Sequence, residues 1–203
     1  MKRGILLLNG EPYEGRIDDS DALVVCCDGA YAWAHGKVRI DKNVGDFDSL
    51  PYIPTPAPEE IYPAEKDYTD GEIAMIKLLD AGVDQIEIYG GGGKREDHFL
   101  GNIQLLYLAA KRGARAEMIT AYSRIFVGFG RVNLDGNDGA TLSVFPFGGE
   151  AHIMGSAGLK YSYPPKLCYG QCIGVSNVAV SDSAHIEVAE GDFVLIIINR
   201  GDV

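Results

Sequence analysis

The sequence predicts an α/β protein in two parts: a parallel sheet covered by helices up to about residue 122, then an all-β sandwich or barrel. Two observations carry this. Short apolar runs alternate with helix-period segments in the first part, and strands separated by helices imply a parallel sheet. Beyond Tyr122 the helical period disappears, and strand-like runs are punctuated by turn sequences.

Residues 4–9 and 22–27 are continuous apolar runs of strand length, the pattern of strands buried on both faces. Residues 28–35 are small and helix-tolerant, and Gly36 ends them. Pro51, Pro54, Pro56, Pro58 and Pro63 predict a surface loop. Thr69 and Glu72 form a T-x-x-E capping box for a helix over 70–81, with Ile73, Ile76 and Leu79 at helical spacing and Gly82 as the stop. Residues 83–89 alternate as a strand does, and four glycines follow. A second helix over 97–112 puts Leu100, Ile103, Tyr107 and Ala110 on one face and stops at Gly113; residues 116–120 are a further strand. In the second part, 124–134, 141–147, 178–182, 185–188 and 192–200 read as strands. Turns are expected at Asp135-Gly136-Asn137-Asp138-Gly139 and Glu190-Gly191-Asp192.

The formal charge is 18 − 29 = −11, which argues against a nucleic-acid binder, whose affinity rests on basic surface. It leaves room for a nucleotide, because carboxylates and phosphates share a site when a divalent cation bridges them. No apolar run is long enough to span a bilayer, and the short one after Met1-Lys2-Arg3 lacks the features of a signal peptide, so a cytoplasmic protein is expected. Cys26, Cys27, Cys168 and Cys172 lack zinc-site spacing and are expected to be buried, reduced thiols.

Three polar segments belong at the carboxyl ends of the parallel strands, where such sheets bind ligands. In Gly45-Asp46-Phe47-Asp48-Ser49, an extended backbone would point Asp46 and Asp48 the same way, toward one hard cation such as magnesium; a turn capped by two aspartates explains the same residues. Lys66-Asp67-Tyr68-Thr69-Asp70 opens the capped helix. Acidic residues suit a helix start for dipole reasons alone, whereas a lysine beside them suits a phosphate–metal site. Gly90-Gly91-Gly92-Gly93-Lys94-Arg95-Glu96-Asp97-His98 joins a strand to a helix. Its glycines would let amides approach a phosphate and Arg95 would supply a planar charge, although it is neither a Walker A nor a G-x-G-x-x-G loop. His98 fits a helix cap as well as a catalytic group.

In this order, the segments resemble thiamine pyrophosphokinases: Cys27-Asp28-Gly29-Ala30, residues 45–50, 66–70 and 90–98 with Asn102, then Gly158-Leu159-Lys160-Tyr161 and Gly174-Val175-Ser176-Asn177. The resemblance implies a Rossmann-like ATP-binding catalytic domain over 1–122 and a thiamine-binding β-sandwich over 123–203, in a homodimer with sites between subunits. It implies transfer of a pyrophosphoryl group from ATP to the hydroxyl of thiamine, with release of AMP and dependence on Mg2+. Asp46, Asp48 and Asp70 then correspond to metal ligands. Asp48, Asp70 and Asp67 form the catalytic carboxylates, with Asp70 or Asp48 as proton acceptor. Asp28, Lys66, Arg95, Asp97, His98 and Asn102 belong to the ATP site, and Ser176 and Asn177 to the thiamine site. Ala30 and Lys94 depart from the family's glycines, and residues 39–44 lack its Pro-Asp. Two rivals stand beside this reading: a non-catalytic nucleotide or thiamine diphosphate sensor, and an ATP-dependent kinase acting on another small alcohol.

Overall fold

A computed structural model describes residues 1–47, 51–58 and 67–200, which form two compact units, Met1–Ala121 and Tyr122–Val203. The chain is a mixed α/β protein, and its first unit is built on a sheet of parallel strands.

The first unit contains β1 (Arg3–Leu7), β2 (Ala22–Cys27), β3 (Lys42–Val44), β4 (Gln85–Tyr89) and β5 (Arg115–Ile119), in the order β5-β4-β1-β2-β3. Every pairing among them is parallel. β1 lies at the centre, and Ile5, Leu6 and Leu7 are 0% exposed. Burying each such side chain contributes about 1.5–3 kcal/mol, which explains the unbroken apolar run. α2 (Asp70–Asp80) begins where expected: Thr69 Oγ1 accepts from the Glu72 amide at 3.1 Å, and Gly82 at φ 76° follows the helix. Its buried face is Gly71, Ala74, Met75 and Leu78 with Leu79, whereas Ile73 and Ile76 are only half-buried. α3 (Glu96–Lys111) buries Ile103, Leu105, Leu106, Ala109 and Ala110, while Leu100, expected on that face, is 63% exposed.

Between β2 and β3 the expected helix is shorter and tighter. A 3-10 turn at Asp28–Ala30 leads into α1 (Tyr31–Ala34), a single turn. β3 itself was not expected, because three residues, Lys-Asn-Val, make no apolar pattern. Its place at the sheet edge comes from pairing with Val25, Cys26 and Cys27.

The second unit holds β6 (Ser123–Gly128), β7 (Arg131–Asn133), β8 (Thr141–Pro146), β9 (Ala151–Ala157), β10 (Lys166–Leu167), β11 (Asn177–Val178), β12 (His185–Val188) and β13 (Val194–Asn199). Neighbours run β11-β8-β13-β6 and β10-β9-β12-β7, all antiparallel. One core draws on both sets, with Leu142, Val144 and Ile196 from the first and Ile153, Ile186 and Val188 from the second. The strand expected over 124–134 is two strands: Gly130 at φ 59° turns the chain, so that β6 pairs with β13 and β7 with β12. The strand expected over 178–182 ends at Val178, beyond which Ala179 makes only an isolated bridge to Leu159. Among the described residues, no helix is long and apolar enough to cross a membrane.

None of the four cysteines forms a disulfide, and only Cys26 and Cys27 are buried; Cys168 is half-exposed and Cys172 exposed, against expectation. Burial pushes the Cys26 thiol up to about 12.

Candidate active site

The carboxyl ends of β1, β2, β3 and β4 meet at one edge of the parallel sheet. After β1 the backbone runs against the glycine segment: Leu8 N donates to Tyr89 O at 2.9 Å, Gly10 N to Gly90 O at 2.8 Å, and Glu11 N to Gly92 O at 2.7 Å. The two strands of backbone are pressed so closely that a side-chain carbon on Gly10 would lie 2.3 Å from the carbonyl oxygens of both Gly90 and Gly92. Gly90 itself sits at φ 70°, a conformation suited to glycine.

Asp28 follows β2 at φ 43° and is half-buried. Gly45, after β3, is folded onto it: a side-chain carbon there would lie 3.0 Å from the Asp28 Cβ. Asp46, also half-buried, comes next. The first turn of α2 reaches the same edge, where the Cys27 thiol donates to the Asp70 carbonyl at 3.6 Å. Gly71 permits this packing, with Leu8 Cδ2 at 3.2 Å and Asn102 Oδ1 at 3.7 Å from where its Cβ would be. Asn102 closes the ring by donating Nδ2 to the Gly91 carbonyl at 2.9 Å. Asp28, Asp70 and Asn102 and the segments carrying Asp46 and the glycines are thereby linked by direct contacts.

The start of α3 is more open. Arg95, Asp97 and His98 are exposed. The Arg95 guanidinium grips Asp97 with two hydrogen bonds, Nε to Oδ1 at 3.0 Å and a terminal nitrogen to Oδ2 at 2.5 Å. These bonds, with the His98 amide, hold the Asp97 carboxyl down at about 2, and the Asp97 carboxylate raises Arg95 in turn. Lys94 is in the left-handed region at φ 62°. Asp67 is exposed, three residues ahead of Asp70.

Asp48 and Lys66 lie outside the described residues. Among the described ones, no group of three or more His, Cys, Asp or Glu side chains is gathered so as to hold a metal ion. The donors that reach this edge are nonetheless all-oxygen carboxylates, the chemistry that suits a hard divalent cation.

In the second unit, Ser176 is exposed at φ 57°, and its amide donates to Ser143 Oγ at 3.1 Å. Asn177 is 3% exposed and clamps Tyr161: Nδ2 donates to the Tyr161 carbonyl at 2.7 Å, and Oδ1 accepts from the Tyr161 amide at 3.0 Å. Its carboxamide thus braces one loop against another. Gly174 is pinned beneath them, since a Cβ there would lie 1.8 Å from the Val144 carbonyl oxygen.

Sequence reasoning passed over Asn9, whose side chain packs on Gly29 so tightly that a Cβ on that glycine would meet Nδ2 at 2.3 Å. Asn-Gly directly after a buried strand was the available signal. It also passed over Ser143, which offered none.

The family model for the thiamin pyrophosphokinase catalytic domain matches residues 16–118. Thiamine pyrophosphokinase of Bacillus subtilis strain 168 is 32% identical over 163 residues, 75% of each chain. Among solved structures, thiamine pyrophosphokinase from Bacillus subtilis superposes with a TM-score of 0.80 at 25% identity over 99% of both chains. That from Geobacillus thermodenitrificans does so with a TM-score of 0.77 at 24% identity, over 100% of this chain and 98% of the other.

Proposed function

Because the chain belongs to the thiamin pyrophosphokinase family, we propose that it transfers the pyrophosphoryl group of ATP to the hydroxyl of thiamine, giving thiamine diphosphate and AMP. The observation that carries this reading is the placement of Asp28, the Gly45-Asp46 segment and the first turn of α2 around the Asn102-tethered glycine segment at the carboxyl edge of the sheet. Transfer of this kind needs positioning and charge neutralisation more than covalent catalysis.

The nucleotide lies along the glycine segment, where close backbone approach and the start of α3 favour phosphates. Arg95, oriented by Asp97, supplies charge to the phosphate oxygens beside Lys66, His98, Asn102 and Asp28. The thiamine hydroxyl oxygen bonds to the β-phosphorus, the bond from that phosphorus to the α–β bridging oxygen breaks, and AMP leaves. Asp70 or Asp48 takes the hydroxyl proton, with Asp67 close in sequence. A divalent cation, magnesium in our reading, would be held by Asp46, Asp48 and Asp70 and would supply charge neutralisation to the phosphates.

The first unit is then a Rossmann-like nucleotide-binding domain and the second a β-sandwich that recognises thiamine near Ser176, with Asn177 holding the neighbouring loop. The reading includes a homodimer, in which Ile173, Val175 and Val180, exposed at 63%, 48% and 55% on the second unit, are apolar side chains that an interface would cover.

The test is incubation with ATP, magnesium and thiamine, followed by identification of the products. AMP with thiamine diphosphate upholds the proposal. ADP would replace it with a kinase of another kind, and nucleotide binding without turnover would make the protein a sensor.

A further inference from the structure

Ser143, on β8, has no place in the reaction above. Its neighbours Leu142 and Val144 are 0% and 1% exposed and face the core of the second unit, so strand alternation turns Ser143 to the opposite face. There its Oγ accepts from the Ser176 amide at 3.1 Å, across 33 positions of chain.

The local pairing shows why that amide calls for a side-chain acceptor. Asn177 pairs with Leu142 on β8, and Val144 N donates to the Gly174 carbonyl at 2.9 Å. Val175 and Ser176 therefore stand opposite Ser143 alone, the count of a β-bulge, which interrupts the ladder and re-aims a side chain. Ser176 lies at φ 57°, a left-handed conformation that a serine holds only where its surroundings impose it. Apolar packing does not impose it, since Ile173 and Val175 are 63% and 48% exposed. The constraints on the segment are polar. Gly174 is fixed to Val144, Asn177 is clamped to Tyr161, and the Ser143 hydroxyl holds the exposed residue between them.

We propose that Ser143 is a positioning residue for recognition of the alcohol substrate: its hydroxyl keeps Ser176 in the left-handed conformation that aims the Ser176 side chain at thiamine. The proposal rests on the functional reading above, in which thiamine is recognised near Ser176. One neutral hydrogen bond and the backbone cost it opposes are of similar size, so without the hydroxyl Ser176 is free to leave that conformation.

Ser143→Ala removes the acceptor, whereas Ser143→Thr keeps an oxygen on a residue well suited to a strand. In Ser143→Ala the KM for thiamine is expected to rise about five- to tenfold, the factor carried by one hydrogen bond, with the KM for ATP held within about twofold. Ser143→Thr should recover most of that loss. In a Ser176→Ala background, Ser143→Ala should add less than about twofold, because the side chain it aims is already gone. An unchanged KM for thiamine, an equal rise in both KM values, no recovery in Ser143→Thr, or full additivity with Ser176→Ala would each overturn the proposal. If the wild-type protein shows no turnover, the functional reading fails separately, and calorimetric titration of thiamine alone decides. A Kd about fivefold weaker in Ser143→Ala and recovered in Ser143→Thr upholds the positioning role; equal or undetectable binding in the wild-type protein and Ser143→Ala overturns it.

Discussion

Asn102, in the second turn of α3, donates its Nδ2 to the carbonyl of Gly91 at 2.9 Å, tying the helix to the glycine segment that follows β4. The same carboxamide turns its oxygen toward Gly71, in the first turn of α2. One half-buried side chain therefore sets the spacing between a backbone suited to phosphate and a helix start that carries a carboxylate. Asn102→Ala is expected to lower stability by only about 1 kcal/mol, the net worth of one hydrogen bond. Its effect on turnover should be larger, a loss of about tenfold or more in kcat/KM for ATP, because small misplacements are costly where catalysis is positioning. Chemical denaturation and steady-state kinetics on one preparation separate the two. Equal losses in both would make Asn102 merely structural.

Gly10 makes a sharper steric claim. A methyl group there would stand 2.3 Å from two backbone carbonyl oxygens, and backbone cannot swing aside as a flexible side chain can. Gly10→Ala should cost about 2 kcal/mol or more, in the upper range for overpacking. Gly36→Ala is the control. That glycine, unlike Gly10, has a positive φ, 79°, but nothing lies within 4 Å of its Cβ position, so only backbone strain is at stake there, about 1 kcal/mol. Comparable midpoints for the two variants in urea would show that the Gly10–Gly90 approach is looser in solution.

What could be read from the sequence was whatever local chemistry decides. The Thr69–Glu72 cap, the glycine stops and the two central strands follow from hydrogen-bonding and apolar patterns that need no knowledge of neighbours. The site's acidic segments were legible because strand ends in a parallel sheet converge. β3 was not, since Lys42-Asn43-Val44 becomes a strand only by pairing with β2. The same holds for β9, where Ala151 and Ile153 are buried but Gly155 and Ser156 dilute the alternation. Leu100 misled because helical spacing identifies an apolar stripe without saying what, if anything, covers each member. The bond from the Ser176 amide to Ser143 Oγ joins residues 33 positions apart, and no local pattern foretells it.

Lys94 stands at φ 62°, where a side chain costs roughly 1–2 kcal/mol relative to its relaxed conformation. Glycine would relieve that cost while adding about 0.5–1 kcal/mol of chain entropy in the unfolded state. Lys94→Gly is therefore expected to stabilise the protein slightly, by about 0.5–1 kcal/mol, in thermal or urea unfolding. A destabilised variant would mean that the Lys94 side chain makes a favourable interaction that outweighs its backbone.

The Arg95–Asp97 pair gives a prediction in pH. Asp97 is held at about 2 against an ordinary value of 3.8, chiefly by its hydrogen bond from Arg95. A depressed carboxylate contributes stability that is fully present above the unfolded value near 3.8 and is lost as pH falls through about 2, so the pair is intact at any physiological pH. Both groups are exposed, which makes the contribution to overall stability small and sensitive to salt. Its use is orientation: a guanidinium already gripped on one side presents its remaining N–H groups in a fixed direction. Carboxyl NMR should give a midpoint near 2 for Asp97, and Arg95→Gln should return it toward 3.8. Saturating ATP that recruits Arg95 away from Asp97 should raise the midpoint; an unchanged value would mean that Arg95 meets phosphate while still paired, or not at all, and Arg95→Gln kinetics decide between these by whether the KM for ATP rises.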